Sequence, residues 1–174
     1  MATARVERRL SAILAADVVG YSRLMERDEV RTFERLKRLR KKLIEPVLEQ
    51  YGGRFIDLKS DGAVVEFGSV ISAVEAAVEI QQAMLAQDPD LSESERIRYR
   101  IGINLGDVII DGDTIYGDDV NVAARIESLC EPGGVWGPST DRRKICLRHW
   151  FTLKVVWVAA CIETQSLCAP TSVP

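Results

Sequence analysis

The stretch from Ile13 to Ser22 constrains the fold most, because an apolar run that holds one carboxylate leads directly into a turn. The run predicts a buried β-strand, and Asp17 inside it is costly to bury unless hydrogen bonds or a cation compensate its charge. A helical pattern follows, and the free backbone N–H groups of such a junction form a cradle for phosphate. The residues of that predicted cradle are Val18, Val19, Gly20, Tyr21 and Ser22. On this stretch alone, Asp17 is equally well interpreted as an aspartate that caps the turn and as a ligand of a cation.

Composition narrows the class of protein. A chain of 174 residues, with 47% hydrophobic and 28% charged residues, predicts one soluble domain with its own core. The net charge of -3 does not favour nucleic-acid binding. The four cysteines lack the paired spacing of a metal site, which indicates a reducing compartment. The chain shows no signal pattern at its start, and its longest late apolar run is far shorter than the ~20 residues that span a membrane. We therefore expect a cytoplasmic protein without a membrane span.

The segment after this strand predicts a long helix. Residues 22–50 carry apolar side chains at helical spacing, with Asp28 as the N-cap and Pro46 as a kink or interruption. The other face of this helix is basic. We interpret that face as a solvated helix surface rather than a nucleic-acid or membrane site.

A hairpin is predicted over residues 54–67, because an Asp-Gly pair lies between two strand-like runs. Asp61 of that pair is in the simplest interpretation a turn residue. The functional interpretation needs Asp17 as well, since two acids at strand ends can converge on a pair of hard cations.

A second helix and a strand follow. Residues 69–86 have helical periodicity, with Ser72 and Glu75 at the spacing of a capping box. Residues 97–105 alternate strictly between apolar and other side chains, which predicts a strand with one face on the core. Gly106 then predicts a bend or a bulge.

The segment 116–127 predicts a loop that enters a third helix. Asn121 and Arg125 are four residues apart and therefore share one helix face. They form either a surface pair, which is the simpler interpretation, or a donor set aimed at a phosphate. The adjoining apolar stripe is predicted to be Val122, Ile126 and Leu129.

Four segments together resemble the class III adenylate and guanylate cyclase catalytic domain, particularly its bacterial branch. The resemblance runs from about Arg8 to Val135. It implies an α/β (α+β) fold of the ferredoxin-like type, with a mainly antiparallel sheet flanked by helices. It also implies a homodimer with active sites at the subunit interface. The segments that carry it are LAADVVGYS (14–22), DG (61–62) before VVEF (64–67), GINLG (102–106) and YGDDVNVAAR (116–125).

The resemblance also implies the chemistry. Asp17 and Asp61 match the family's two metal ligands, which hold two Mg²⁺ or Mn²⁺ ions. Asn121 and Arg125 match residues that the partner subunit supplies, the first to orient the ribose and the second to stabilise charge on the phosphoryl oxygens. The implied reaction converts ATP, more than GTP, into cyclic AMP and pyrophosphate by attack of the ribose 3′-hydroxyl on the α-phosphorus.

Two positions of the resemblance concern the nucleotide base. Members that use ATP usually carry a lysine four residues before the second metal aspartate, where this chain has Asp57. An ionised Asp57 accepts hydrogen bonds but cannot donate one, so it cannot replace the lysine's contact with a ring nitrogen. Thr114 occupies the second base-reading position in a form that bacterial members use.

The resemblance stops inside the domain. We therefore expect a catalytic domain over residues 1–135, incomplete at its carboxyl end, and a divergent tail over 136–174 of the kind that a reading-frame change produces. No tail lysine has the neighbours of the family's triphosphate lysine. The alternatives are a catalytically impaired nucleotide-binding or dimerisation module, and an unrelated ferredoxin-like metal-binding domain.

Overall fold

The computed structural model describes residues 7–87, 90–92, 94–111 and 114–137. Its strands are β1 (Glu7–Val18), β2 (Arg54–Leu58), β3 (Gly62–Phe67), β4 (Tyr99–Asp111), β5 (Thr114–Tyr116) and β6 (Val135–Trp136). Its α-helices are α1 (Tyr21–Arg27), α2 (Glu29–Leu39), α3 (Glu45–Gln50), α4 (Val70–Leu85) and α5 (Asp118–Leu129), with a π-helical turn (Arg40–Ile44) between α2 and α3.

The strands form one sheet in the order β2-β3-β1-β4-β5, and β6 pairs with β4. The pairs along this order are antiparallel, whereas β6 runs parallel to β4. The predicted α/β fold with a mainly antiparallel sheet flanked by helices is confirmed. Among the described residues no helix has both the length and the apolar character needed to cross a membrane.

The two faces of β1 pack against different layers, as period-2 alternation requires. Ala12 and Leu14 belong to the large core that α2, α3 and α4 cover, together with Phe67 of β3. Ile13 and Ala15 belong to a smaller core on the opposite face, which Ala123 of α5 completes. The side chain of Asp17 follows Ile13 and Ala15 in this alternation, so it lies on the same face as α5.

The predicted long helix is divided into several pieces. Asp28 caps α2 as expected, because its Oδ1 accepts a hydrogen bond from the Arg31 backbone N–H at 3.0 Å. The π-helical turn directly precedes the first turn of α3, which contains Pro46. Proline lacks an N–H and its ring clashes with the carbonyl four residues back, so a wider turn before it avoids regular α-helical geometry there.

Two local predictions were wrong. Ser69, not Ser72, caps α4, since its hydroxyl accepts a hydrogen bond from the Ile71 N–H at 3.2 Å and Ser72 lies inside the helix. Gly106 does not interrupt β4, whose pairing with β1 continues in register through Ser11 opposite Gly106.

A third prediction, the apolar stripe of α5, was also wrong. The buried residues of α5 are Ala123 and Glu127, whereas Val122 and Ile126 are only partly buried and Leu129 is 69% exposed. The predicted tail, residues 136–174, lies outside the described residues except for Trp136 and Gly137. Trp136 is buried in β6.

Candidate active site

Asp17 and Asp61 are neighbours at one end of the sheet. Asp17 is the second-last residue of β1 and lies opposite Gly62, the first residue of β3. The Val18 N–H donates a hydrogen bond to the Asp61 carbonyl oxygen at 2.7 Å, which fixes the turn beside the strand end. A Cβ on Gly62 would lie 2.5 Å from the Ala16 carbonyl oxygen, so this close approach requires glycine. Local sequence signals thus place the backbones of the two acidic residues next to each other.

Arg100 of β4 joins this pair, and sequence analysis missed it. Its Nη2 donates a hydrogen bond to Asp17 Oδ2 at 2.7 Å, and both side chains are about one-third exposed. Its Nε lies 2.9 Å from Glu127 Oε1, an ion pair whose geometry is not that of a hydrogen bond. The hydrogen bond with Asp17 raises the pKa of Arg100 above its usual value. Arg100 therefore balances the charges of two acids on separate elements.

Glu127 is the acid that α5 buries against the sheet, with 8% of the residue exposed. Burial raises the pKa of Glu127 to about 7, although the positive charge of Arg100 opposes this rise. The group is therefore sensitive to pH in the neutral range.

Two glycines of β4 explain why α5 lies so close to the sheet. A Cβ on Gly102 would lie 2.5 Å from the Ala123 carbonyl oxygen, so a larger residue there would push the helix away. The carboxylate of Asp119 fills the space beside Gly106. Asn104, which lies between the glycines and is buried, donates from Nδ2 to Asp119 Oδ1 at 2.9 Å.

Asn121 and Arg125 are both exposed on α5. Each is two residues from the buried Ala123, which corresponds to about 200° around a helix of 3.6 residues per turn. They therefore share the face that points away from the sheet, as their spacing predicted. Asp17 lies on the sheet beneath α5, so one chain does not bring these two residues together with its own Asp17.

The base-reading positions are also separated within one chain. Asp57 lies in β2 and Thr114 in β5, the strands at the two ends of the sheet order. Four inter-strand spacings of about 4.8 Å separate them by about 19 Å. Asp57 is half exposed and forms a 3.4 Å ion pair with Lys59.

The predicted phosphate cradle is smaller than expected. The Val18 N–H is bound to Asp61, and the Val19 N–H donates to the Arg98 carbonyl oxygen at 2.9 Å. These two groups are engaged in backbone bonds, which corrects the prediction for Val18 and Val19. Gly20 has a left-handed φ of 66° and precedes α1, so the cradle prediction is confined to Gly20, Tyr21 and Ser22.

The acids fit a hard divalent cation that is bound together with a phosphate. Within the described ranges, no cluster of three or more His, Cys, Asp or Glu side chains could hold a metal ion. Mg²⁺ is usually held by one or two carboxylates plus substrate phosphates, which is the donor set that Asp17 and Asp61 offer. A cation at Asp17 has to compete with the Arg100 hydrogen bond.

A curated relative shares much of this sequence. A 52% identical match over 135 residues, 78% of this chain, is the Rhizobium meliloti (strain 1021) protein named "Putative adenylate cyclase 3". The match spans only 23% of that relative's length.

Solved structures show the same fold. An adenylate/guanylate cyclase/hydrolase from Silicibacter pomeroyi is 48% identical, with a TM-score of 0.72 over 76% of this chain and 77% of the other. The adenylyl cyclase CyaB from P. aeruginosa is 23% identical, with a TM-score of 0.66 over 76% of this chain and 78% of the other. A family model for the adenylate and guanylate cyclase catalytic domain matches residues 7–145. The chain belongs to the adenylate and guanylate cyclase catalytic domain family.

Proposed function

We propose that this domain forms a homodimeric adenylate cyclase, which converts ATP into cyclic AMP and pyrophosphate for cyclic-nucleotide signalling in the cytoplasm. One observation carries the proposal: Asp17 and Asp61 occupy neighbouring backbone positions at one end of the sheet, while Asn121 and Arg125 lie on the outward face of α5 of the same chain. A second copy of the chain can supply the missing half of each site, which is the isologous arrangement of a twofold dimer.

In the proposed mechanism each residue acts on one part of the substrate. Asp17 and Asp61 would hold two Mg²⁺ or Mn²⁺ ions, which would supply activation of the ribose 3′-hydroxyl and neutralisation of the leaving pyrophosphate. The partner's copy of Asn121 orients the ribose for in-line attack on the α-phosphorus. The partner's copy of Arg125 stabilises the charge that builds on the phosphoryl oxygens. The N–H groups of Gly20, Tyr21 and Ser22 bind phosphate oxygen at the start of α1.

At the base-reading positions this chain departs from the usual pattern of the family, because Asp57 stands where lysine is usual. Because Asp57 and Thr114 lie at opposite ends of the sheet order, we propose that each base is read by Asp57 of one chain and Thr114 of the other. Asp57 cannot donate a hydrogen bond when ionised. We therefore expect a preference for ATP over GTP that is weaker than in members with lysine there.

Asp57 also supports a second candidate, a catalytically impaired module that binds nucleotide or mediates dimerisation. Such a module would keep the acids and the dimer but turn over neither nucleotide. Product analysis separates the two candidates, since binding of ATP without any cyclic product supports the module.

The domain limits are part of the proposal. We infer that residues 1–135 form the catalytic domain and that 136–174 are a replaced tail, because the family's triphosphate lysine has no counterpart there. Limited proteolysis of the full chain tests this inference. Early cleavage throughout 136–174 that leaves a core near residues 8–135 supports it, whereas resistance of the full-length chain contradicts it.

The test of the main proposal is product analysis after incubation with ATP or GTP and Mg²⁺ or Mn²⁺. We expect cyclic AMP and pyrophosphate, no turnover after Asp17→Asn or Asp61→Asn, and a loss of about 10²–10³ in rate after Arg125→Ala. Asp90→Asn, which alters an exposed acid outside the site, is the matched control. An unchanged rate after Asp17→Asn would refute the two-metal assignment.

A further inference from the structure

Arg100 is shared unequally between two acids. Its Nη2 donates a hydrogen bond to Asp17 Oδ2 at 2.7 Å, but its Nε faces Glu127 Oε1 at 2.9 Å without the alignment of a hydrogen bond. Both of these facing atoms are buried, and neither has a hydrogen-bond partner among the residues that the structure describes. A buried polar atom without a partner is costly. The arrangement therefore satisfies Asp17 and leaves Glu127 Oε1 unsatisfied.

The two acids are fixed in position, whereas the arginine side chain between them can reorient. Asp17 lies directly opposite Arg100 in the pairing of β1 with β4. A Cβ on Gly102 would clash with the backbone N of Glu127, so the helix backbone lies directly on the strand there. Because Arg100 Nε and Glu127 Oε1 are already at hydrogen-bond distance, a small rotation of the guanidinium is enough to align them.

The charges of these three residues favour an exchange of partners when a cation binds. The positive charge of Arg100 compensates Asp17 as long as no cation is bound there. A divalent cation at Asp17 would take the carboxylate and repel the guanidinium beside it. Glu127 is the second acid within reach, and its carboxylate can then compensate Arg100 alone.

We propose that Arg100 is a positioning residue that occupies Asp17 until a divalent cation binds there and then transfers its hydrogen bond to Glu127. Glu127 thereby favours the displacement of Arg100, so the affinity for the cation depends on both residues although neither holds it. The inference rests on the proposed function, because it takes Asp17 as a metal ligand. The simpler alternative is an ion pair that only fixes α5 to β4.

Binding of Mn²⁺ to the full chain without nucleotide tests the exchange. The measurement is the electron paramagnetic resonance signal of free Mn²⁺ at pH 8, above the pKa of Glu127. Arg100→Gln should tighten Mn²⁺ about tenfold, since it removes a competing hydrogen bond between charged groups. Glu127→Gln should weaken Mn²⁺ by a similar factor, because Arg100 then has no second acid.

A control and a double variant separate the exchange from a general effect of charge. Arg23→Gln removes an exposed positive charge beside Gly20 that is not paired with either acid, and it should change Mn²⁺ affinity by about twofold or less. In the Arg100→Gln background, Glu127→Gln should also cost only about twofold or less, because no arginine is left to displace. An equal loss in both backgrounds would contradict the exchange.

The wild-type chain gives a second, direct measurement with Mg²⁺. The ¹H–¹⁵N signal of the Arg100 Nε–H is assigned by its loss in Arg100→Lys. Saturating Mg²⁺ should shift this signal and slow its exchange with water, as a new hydrogen bond requires, and Glu127→Gln should abolish both changes. A signal that stays the same on saturation with Mg²⁺ would show that Arg100 keeps its partner.

Asp17→Asn distinguishes failure of this inference from failure of the proposed function. If Asp17→Asn abolishes Mn²⁺ binding while Arg100→Gln and Glu127→Gln leave it unchanged, Asp17 is a ligand and only the exchange is wrong. If Asp17→Asn binds Mn²⁺ like the wild type, the metal assignment is wrong and the exchange fails with it.

Discussion

Mixing two inactive variants tests whether each active site is shared between chains. Asp17→Asn removes an acid from one half of the site, and Arg125→Ala removes the donor from the other half. In their heterodimer both defects fall in one site, so the second site is intact. Equal amounts that exchange freely give half heterodimers, each with one of two sites restored. We therefore expect about one quarter of the wild-type rate per chain.

The assay is cyclic AMP formation after co-expression or after unfolding and refolding of the mixed chains. The matched control mixes Asp17→Asn with Asp61→Asn, two defects in the same half, which leaves no intact site in any dimer. Heterodimers that form but give no more activity than this control would refute the shared site. An active monomer would refute it as well.

Three further predictions concern the base, the buried acid and the packing of α5. Asp57→Lys should raise the ATP-to-GTP rate ratio, measured with both nucleotides, and an unchanged ratio would show that Asp57 does not contact the base. The folded state holds the proton of Glu127 more tightly than the unfolded state, because its pKa rises from 4.5 to about 7. The stability from this proton is full below pH 4.5 and is lost as pH rises through about 7, so the melting temperature should fall over about pH 5–8. Glu127→Gln should flatten that fall, and an identical pH profile would contradict the assignment. Gly102→Ala should lower the melting temperature by about 2–12 °C, from an overpacking cost of about 1–3 kcal/mol, and a variant that melts like wild type would show that α5 shifts freely. Gly68→Ala is its control, since a Cβ there meets nothing within 4 Å.

The parts of the site that depend on residues close together in the chain were predictable from sequence. The apolar run around Asp17 predicted a strand, and the Asp61-Gly62 pair predicted the hairpin that brings the second acid beside it. The four-residue spacing of Asn121 and Arg125 predicted their common face. In each case the signal spans only a few residues.

Arg100 and Glu127 were not predicted, because their roles come from contacts between distant segments. Arg100 is 83 residues from Asp17 along the chain. The alternation of β4 does place Arg100 on the same face as Gly102 and Gly106, and glycines on one strand face indicate close approach of another element. That pattern could have predicted that another element packs over the face of β4 that carries Arg100.

The apolar stripe of α5 was mispredicted for the same reason. Propensity and spacing favour the larger apolar side chains Val122, Ile126 and Leu129. Gly102 of β4 instead brings the backbone of α5 against the strand at Ala123 and Glu127, which are the residues buried there. The strand beneath α5 thus determines which face of the helix is buried. The sequence of the helix alone does not show which strand residues lie beneath it.

The outward face of α5 has a consequence for how the domain would be controlled. If Asn121 and Arg125 serve only the other copy, isolated chains turn over nothing, and at concentrations below the dissociation constant of the pair the total rate rises with the square of protein concentration. Tethering two copies then substitutes for raising their concentration, because a linker of suitable length supplies a millimolar effective concentration. Any fused segment that changes the distance between two copies would thereby set the output of the domain without contacting its active site.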